Sequence, residues 1–348
     1  MVDIGRRKPR IALALQGGGA HGAYAWGVVE RLLEEDVELV GISGASAGAM
    51  NGAALAAGFA ADGIRGAVAG MERMWRTISK TSPLAPFDHE QFRQSYFEQM
   101  FMRSLEYFHL TSRYFSPHTP GLRSMDALRR AMSASVDLNV LKEQTALPLH
   151  ISATHIPTGA AKMFTGTEVT LDSLMASACL PDLFAPVEVD GESYWDGGFT
   201  ANPALTPLLG EEMHATDMIV VQITPFVDSD VSGALGDRTR RVSEIGFNAC
   251  LLRDLKVLTE LKEISSLEQC NDPRLKAISR INLHLISPPA SIGERGGASK
   301  IDMRWSVLLE LRALGRQVAE TWLQEDGALM GKKSSMVEMP DKVAKVMA

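Results

Sequence analysis

Two short apolar runs, each passing through small residues into a helical pattern, constrain this chain more than any other feature. Residues 11–15 read IALAL, glycines follow at once, and AYAWGVVERLLEE sets Trp26, Val29, Leu32 and Leu33 on one helical side. Residues 39–42 read LVGI, and an alanine-rich helix is expected over about 47–58. Apolar runs without alternation belong to strands buried on both faces, as in a parallel sheet. The opening is therefore a βαβα unit, and the fold class expected is α/β, a three-layer α/β/α arrangement around a largely parallel sheet. Gly27 inside the first helix costs about 1 kcal/mol of propensity, which points to close packing there.

Strand-like runs return at 147–154, 218–224 and 281–287. Between them lies LDSLMASACLPDLFAPVEVDGESYWDGGFTANPALTPLL, dense in the proline and glycine of loops that shape a site. Residues 71–135 are rich in aromatics and methionine and read as an inserted helical layer, either ordinary core or the wall of an acyl pocket. Residues 240–270 and 304–325 read as packing helices, the second with Trp305, Leu308, Val318 and Trp322 along one stripe. The division expected is a main α/β domain over 10–225, a remaining strand and helical extension packed on it over 226–330, and a mobile tail over 331–348.

Composition narrows the function. A formal charge of -7, from 35 basic and 42 acidic residues, gives nucleic acid no general attraction. Cys179, Cys250 and Cys270 show no metal-ligand spacing and read as reduced thiols, so a cytoplasmic setting is expected. No run approaches the roughly 18 apolar residues of a membrane span, so membrane contact is expected to be peripheral.

The strongest local motif is Gly44-Ala45-Ser46-Ala47-Gly48, which fits G-x-S-x-G. It follows an apolar strand and precedes a helix, the context of a nucleophile elbow. A sharp strand-to-helix turn presents Ser46 at its tip, and the small neighbours Gly44 and Gly48 leave room for it. The helix start beyond Ser46, beginning with Ala47, offers N–H groups and positive potential.

Gly17, Gly18 and Gly19 open a second glycine loop, GGGAHG, between the first strand and helix. It also satisfies G-x-G-x-x-G, but the acid a dinucleotide ribose needs about 20 residues on is missing, since that stretch reads VGISGAS. The better reading is an oxyanion hole, with backbone N–H groups aimed at a substrate carbonyl. Asp196, in YWDGGFTANP, is the candidate base; burial beside Trp195 and Phe199 would raise its pKa. A plain turn stays open on local sequence. So does a triad with His214 or His284, whose chain order matches Ser…Asp…His.

With GGGAHG at 17–22, GASAG at 44–48 and DGG at 196–198 in that order, the chain resembles the patatin-like phospholipase family over about 10–225. The resemblance implies a Ser46–Asp196 dyad, an oxyanion hole from the Gly17–Gly18–Gly19 loop, and acyl-ester or phospholipid hydrolysis without a metal or organic cofactor. The family usually has a basic residue where His21 stands. An acyltransferase using the same acyl-enzyme, and a non-catalytic lipid-binding protein, are the alternatives. Association of copies through the C-terminal helices is a further expectation.

Overall fold

The computed structural model describes residues 8–93, 95–98, 100–101, 103–104, 125–143, 147–227, 235–267, 272–295 and 297–336. Eight strands form one mixed sheet: β1 (Arg10–Leu15), β2 (Glu38–Ala45), β3 (Leu149–His155), β4 (Ala161–Thr165), β5 (Val187–Val189), β6 (Glu192–Asp196), β7 (Asp217–Val221) and β8 (Asn282–Ile286). The order is β5-β6-β3-β2-β1-β7-β8, with β4 also on β3. The neighbours β3-β2-β1-β7-β8 run parallel, whereas β4, β5 and β6 pair antiparallel.

Side-chain alternation divides the core between the two faces of this sheet. Ile11, Leu13 and Leu15 of β1, with Ile219 and Val221 of β7, enter one apolar cluster; Ala12, Ala14, Met218 and Val220 enter the other. On the first face lie α1 (Gly22–Leu32), α2 (Ala47–Thr81) and, after the short α3 (Glu90–Arg93), α4 (Asp126–Ser135) and α5 (Leu171–Ser177). The opposite cluster takes Leu251, Leu255 and Leu258 of α6 (Leu235–Leu267), which is followed by α7 (Pro273–Arg280). The result is the α/β/α layering expected.

The last α-helix among the described residues, α8 (Trp305–Glu325), packs along α1. A Cβ on Gly27 would come within 2.0 Å of the Arg312 carbonyl oxygen, so this glycine does set a close helix approach. Arg312 pairs with Glu30 across the seam and stacks over Trp26 at 4.6 Å.

Two elements differ from expectation. The helix after Ser46 continues to Thr81, broken at Asp62 (φ -154°) and Gly63 (φ 56°), so the supposed insert begins inside α2. Much of that insert (94, 99, 102 and 105–124) lies outside the described residues. Residues 331–336 are tied down: Gly331 N–H donates to Asp217, Ser334 Oγ accepts from Leu283 N–H, and Met336 N–H donates to the Leu283 carbonyl. The rest of the expected tail, 337–348, lies outside the described residues.

Candidate active site

The carboxyl ends of β1, β2 and β7 lie side by side and each launches a segment of the site. Ligand sites of open α/β sheets form at this edge. β1 leads into Gln16 and the glycine loop, β2 into Ser46, and β7 into residues 222–224.

Ser46 has φ 52°, a left-handed value that a non-glycine residue adopts at a cost. It is the N-cap of α2, and its own N–H donates to Ser177 Oγ at 2.9 Å. The elbow is possible because its flanks lack side chains: a Cβ on Gly44 would lie 2.5 Å from the Gly48 carbonyl carbon, and one on Gly48 would lie 2.1 Å from the Leu15 oxygen.

Asp196 reaches Ser46 through strand pairing. One edge of β3 is occupied by β4 through residues 150–154. On the other edge β2 pairs as far as Ala45↔Ser152, and β6 takes over at Ala153↔Asp196. Asp196 therefore continues the line that β2 leaves at Ser46. Its N–H donates to the Cys179 carbonyl, Thr154 Oγ1 donates to its carbonyl, and its Oδ1 accepts from Gly198 N–H at 2.7 Å.

The Asp196 carboxyl is fully buried, and burial pushes its pKa up to about 7 against the opposing bond from Gly198 and the Ser46 side chain. Oδ2 has no partner at full hydrogen-bonding geometry, so the Ser46 hydroxyl acts on the carboxyl from close by without a fully formed bond. Such looseness is common before substrate binds. The expected apolar neighbours differ in part. Trp195 alternates to the other side of β6, and Phe199 is 42% exposed, stacked on Phe247 at 5.0 Å. Backbone on several sides performs the burial, including Ser152, whose oxygen lies 2.2 Å from a Cβ placed on Gly197.

Gly17, Gly18 and Gly19 lie next to the elbow, with a Cβ on Gly17 falling 2.8 Å from Ser46 Cβ. The Gly17 N–H is committed to Asn202 Oδ1 at 2.8 Å, which removes it from the expected set of oxyanion donors. Gly18, Gly19 and Ala47 N–H groups have no hydrogen-bond acceptor among the described residues. They are open to an acceptor from outside the protein.

A polar scaffold under this loop was not read from sequence. Asn202 also donates to the Phe247 carbonyl. Gln16 Oε1 accepts from the Ile223 and Thr224 N–H groups, while its amide donates to Asn248. All three amides are buried and satisfied, which makes them positioning residues. The one local signal was Asn202 before Pro203 in FTANP.

Neither candidate triad histidine belongs here. His284 is buried and bonded to Asp217 at 2.9 Å, and His214 is exposed just before β7, at the amino end of the strands. His21 lies by the glycine loop but bonds Ser299 at 2.8 Å.

The patatin-like phospholipase family model matches residues 13–209, more than half of the chain, and the protein belongs to that family. Curated relatives include uncharacterized NTE family proteins of Mycobacterium bovis and Mycobacterium tuberculosis. Each is 29% identical over 211 residues, covering 59% of this chain and 47% of the relative. The chain thus spans about half the length of the curated relatives it matches. Among solved structures, VipD from Legionella pneumophila aligns over 90% of this chain and 72% of its own at 14% identity, with a TM-score of 0.37.

Proposed function

We propose that this protein is a serine acyl-ester hydrolase acting on phospholipids or simpler lipid esters, with Ser46 as nucleophile and Asp196 as its base. The observation that carries the reading is the convergence of a strained, left-handed Ser46 and a buried carboxyl with pKa raised to about 7 at the end of one β3 edge. A base poised near neutrality is the one most useful at neutral pH.

The carboxylate of Asp196 takes the proton of Ser46 Oγ as that oxygen bonds the acyl carbon. The carbonyl electron pair moves onto oxygen, which rests on the Gly18, Gly19 and Ala47 amides and the positive start of α2. Collapse breaks the ester C–O bond, and the leaving alcohol takes the proton from Asp196. Asp196 then deprotonates water, which attacks the acyl-enzyme; Ser46 leaves with the proton and a carboxylic acid is released. Asn202 and Gln16 keep the loop amides aimed throughout.

Contact with lipid would be made from the surface: no helix among the described residues is long and apolar enough to cross a membrane. The test is hydrolysis of short esters, long esters and phospholipid vesicles, with Ser46→Ala as blank. Serine-dependent release of acid supports the reading. Acyl transfer to an alcohol in place of water would make the protein a transferase, and no turnover anywhere would make it a binding protein.

A further inference from the structure

The carboxyl end of α5 touches both Ser46 and Asp196. Ser177, the last residue of that helix, accepts the Ser46 N–H on its Oγ at 2.9 Å. Two residues on, the Cys179 carbonyl accepts the Asp196 N–H at 2.8 Å. Ser177 and Cys179 are both fully buried. Pairing along β3 brings the two strands into line, but β2 stops pairing at Ala45, so the sheet does not itself hold Ser46.

The helix is a fixed anchor. At its start Ser173 N–H donates to Thr170 Oγ1 at 3.1 Å, and Thr170 N–H donates to Ser173 Oγ at 2.9 Å. Leu174, Met175 and Ala176 are buried in the apolar cluster on the first face of the sheet. At its end Cys179 N–H donates to the Ala176 carbonyl at 3.3 Å, which carries the chain straight from Ser177 to the contact with Asp196.

Ser46 needs such an anchor. A φ of 52° is costly for a residue with a side chain and persists only where its surroundings enforce it. The Ser46 N–H finds its acceptor in Ser177 Oγ. Without that oxygen a buried donor is left unpaired, which favours rotation of the Ser46 backbone toward another acceptor. Such a rotation swings Cβ and Oγ with it. We propose that Ser177 is a positioning residue for the reaction, holding Ser46 through its N–H in the left-handed turn that aims Oγ at the Asp196 carboxyl. The proposal rests on the Ser46–Asp196 hydrolase reading above.

The discriminating readout is the pH at which Asp196 ionises. Burial raises its pKa, and Gly198 and the Ser46 side chain lower it, to leave it at about 7. Loss of aim alone removes the Ser46 contribution and moves the midpoint up. General loosening of the fold lets water reach the carboxyl and moves it down. The neighbouring Cys179 thiol stays protonated throughout, because burial, with the Asp196 charge adding, pushes its pKa up to about 12.

The test measures kcat and KM for phenyl butyrate, a neutral soluble ester, in wild type and Ser177→Ala from about pH 5 to 9. Ser177→Ala is expected to lose about tenfold or more in kcat with KM within about twofold, and its kcat/KM midpoint is expected about half a pH unit or more higher. An unchanged kcat overturns the proposal, as does a midpoint that stays in place or falls. If Ser177→Ala does not fold, Ser177→Cys carries the same expectation, since sulfur is a weak acceptor. Fluorophosphonate labelling of wild type separates the two levels. Label on Ser46 with Ser177→Ala behaving as wild type removes the positioning role alone; no label and no turnover in wild type removes the hydrolase reading with it.

Discussion

Ser46 and Asp196 lie end to end along one edge of β3, because β2 stops pairing at Ala45↔Ser152 and β6 begins at Ala153↔Asp196. A parallel strand delivers the serine and an antiparallel one delivers the carboxyl, so the mixed character of the sheet is what brings them together. The mechanism proposed for this pair uses no histidine.

Asp196 fixes the pH behaviour. In the proposed mechanism the carboxylate form is the base, so kcat/KM is expected to rise with pH and level off above about 7, measured with a neutral ester. A profile flat from pH 5 to 9 would contradict this.

The same group sets a stability trend with the opposite sign. Its folded pKa is raised above the ordinary 3.8, so the stability its proton supplies is fully present below that value and lost as pH rises through about 7. Asp196→Asn, which never ionises, is expected to melt higher than wild type at pH 8, by about 2 °C or more, with the gain gone at pH 4. Activity of the variant at pH 8 falls by about a hundredfold or more.

Asn202→Ala leaves the buried Gly17 N–H and Phe247 carbonyl without their partner. The loop amides lose their aim, so kcat is expected to fall about tenfold or more with KM little changed, alongside a destabilisation of about 1–3 kcal/mol. An equal loss in kcat and in folded fraction would reduce Asn202 to a structural role.

His284→Ala separates the dyad from a triad. Burial works to raise the Asp217 pKa, and bonds from His284, Thr216, Gly331 and Asn282 outweigh it and leave it lowered. Removing His284 takes away one of the four donors to that buried carboxylate, so a stability loss of about 1–3 kcal/mol is expected in urea unfolding. Turnover per folded molecule should hold; its collapse would restore the triad.

The elbow and the glycine loop were legible because their constraints are local: a strand, a turn with no room for side chains, a helix. Asp196 was not legible from DGG alone, since its burial comes from Ser152, Cys179 and Gly198 brought by pairing across the sheet. Strands β5 and β6 hid in the segment rich in proline and glycine, and β4 just before it, because they carry charged and polar residues where β7 reads as an apolar run. The Asn202–Gly17 bond spans 185 positions, and no periodicity reports a contact of that kind. The C-terminal contribution was hidden for the same reason: Lys300 meets Gly19, and Ser334 meets Leu283, only in the folded chain.

The most direct test of the dyad is the rate and site of covalent labelling by a fluorophosphonate, followed by intact mass and peptide mapping in wild type, Ser46→Ala and Asp196→Asn. One adduct on Ser46, absent from Ser46→Ala and slowed at least about a hundredfold in Asp196→Asn, is the predicted result. An adduct on another residue, or undiminished labelling of Ser46 in Asp196→Asn, would contradict the assignment of this pair.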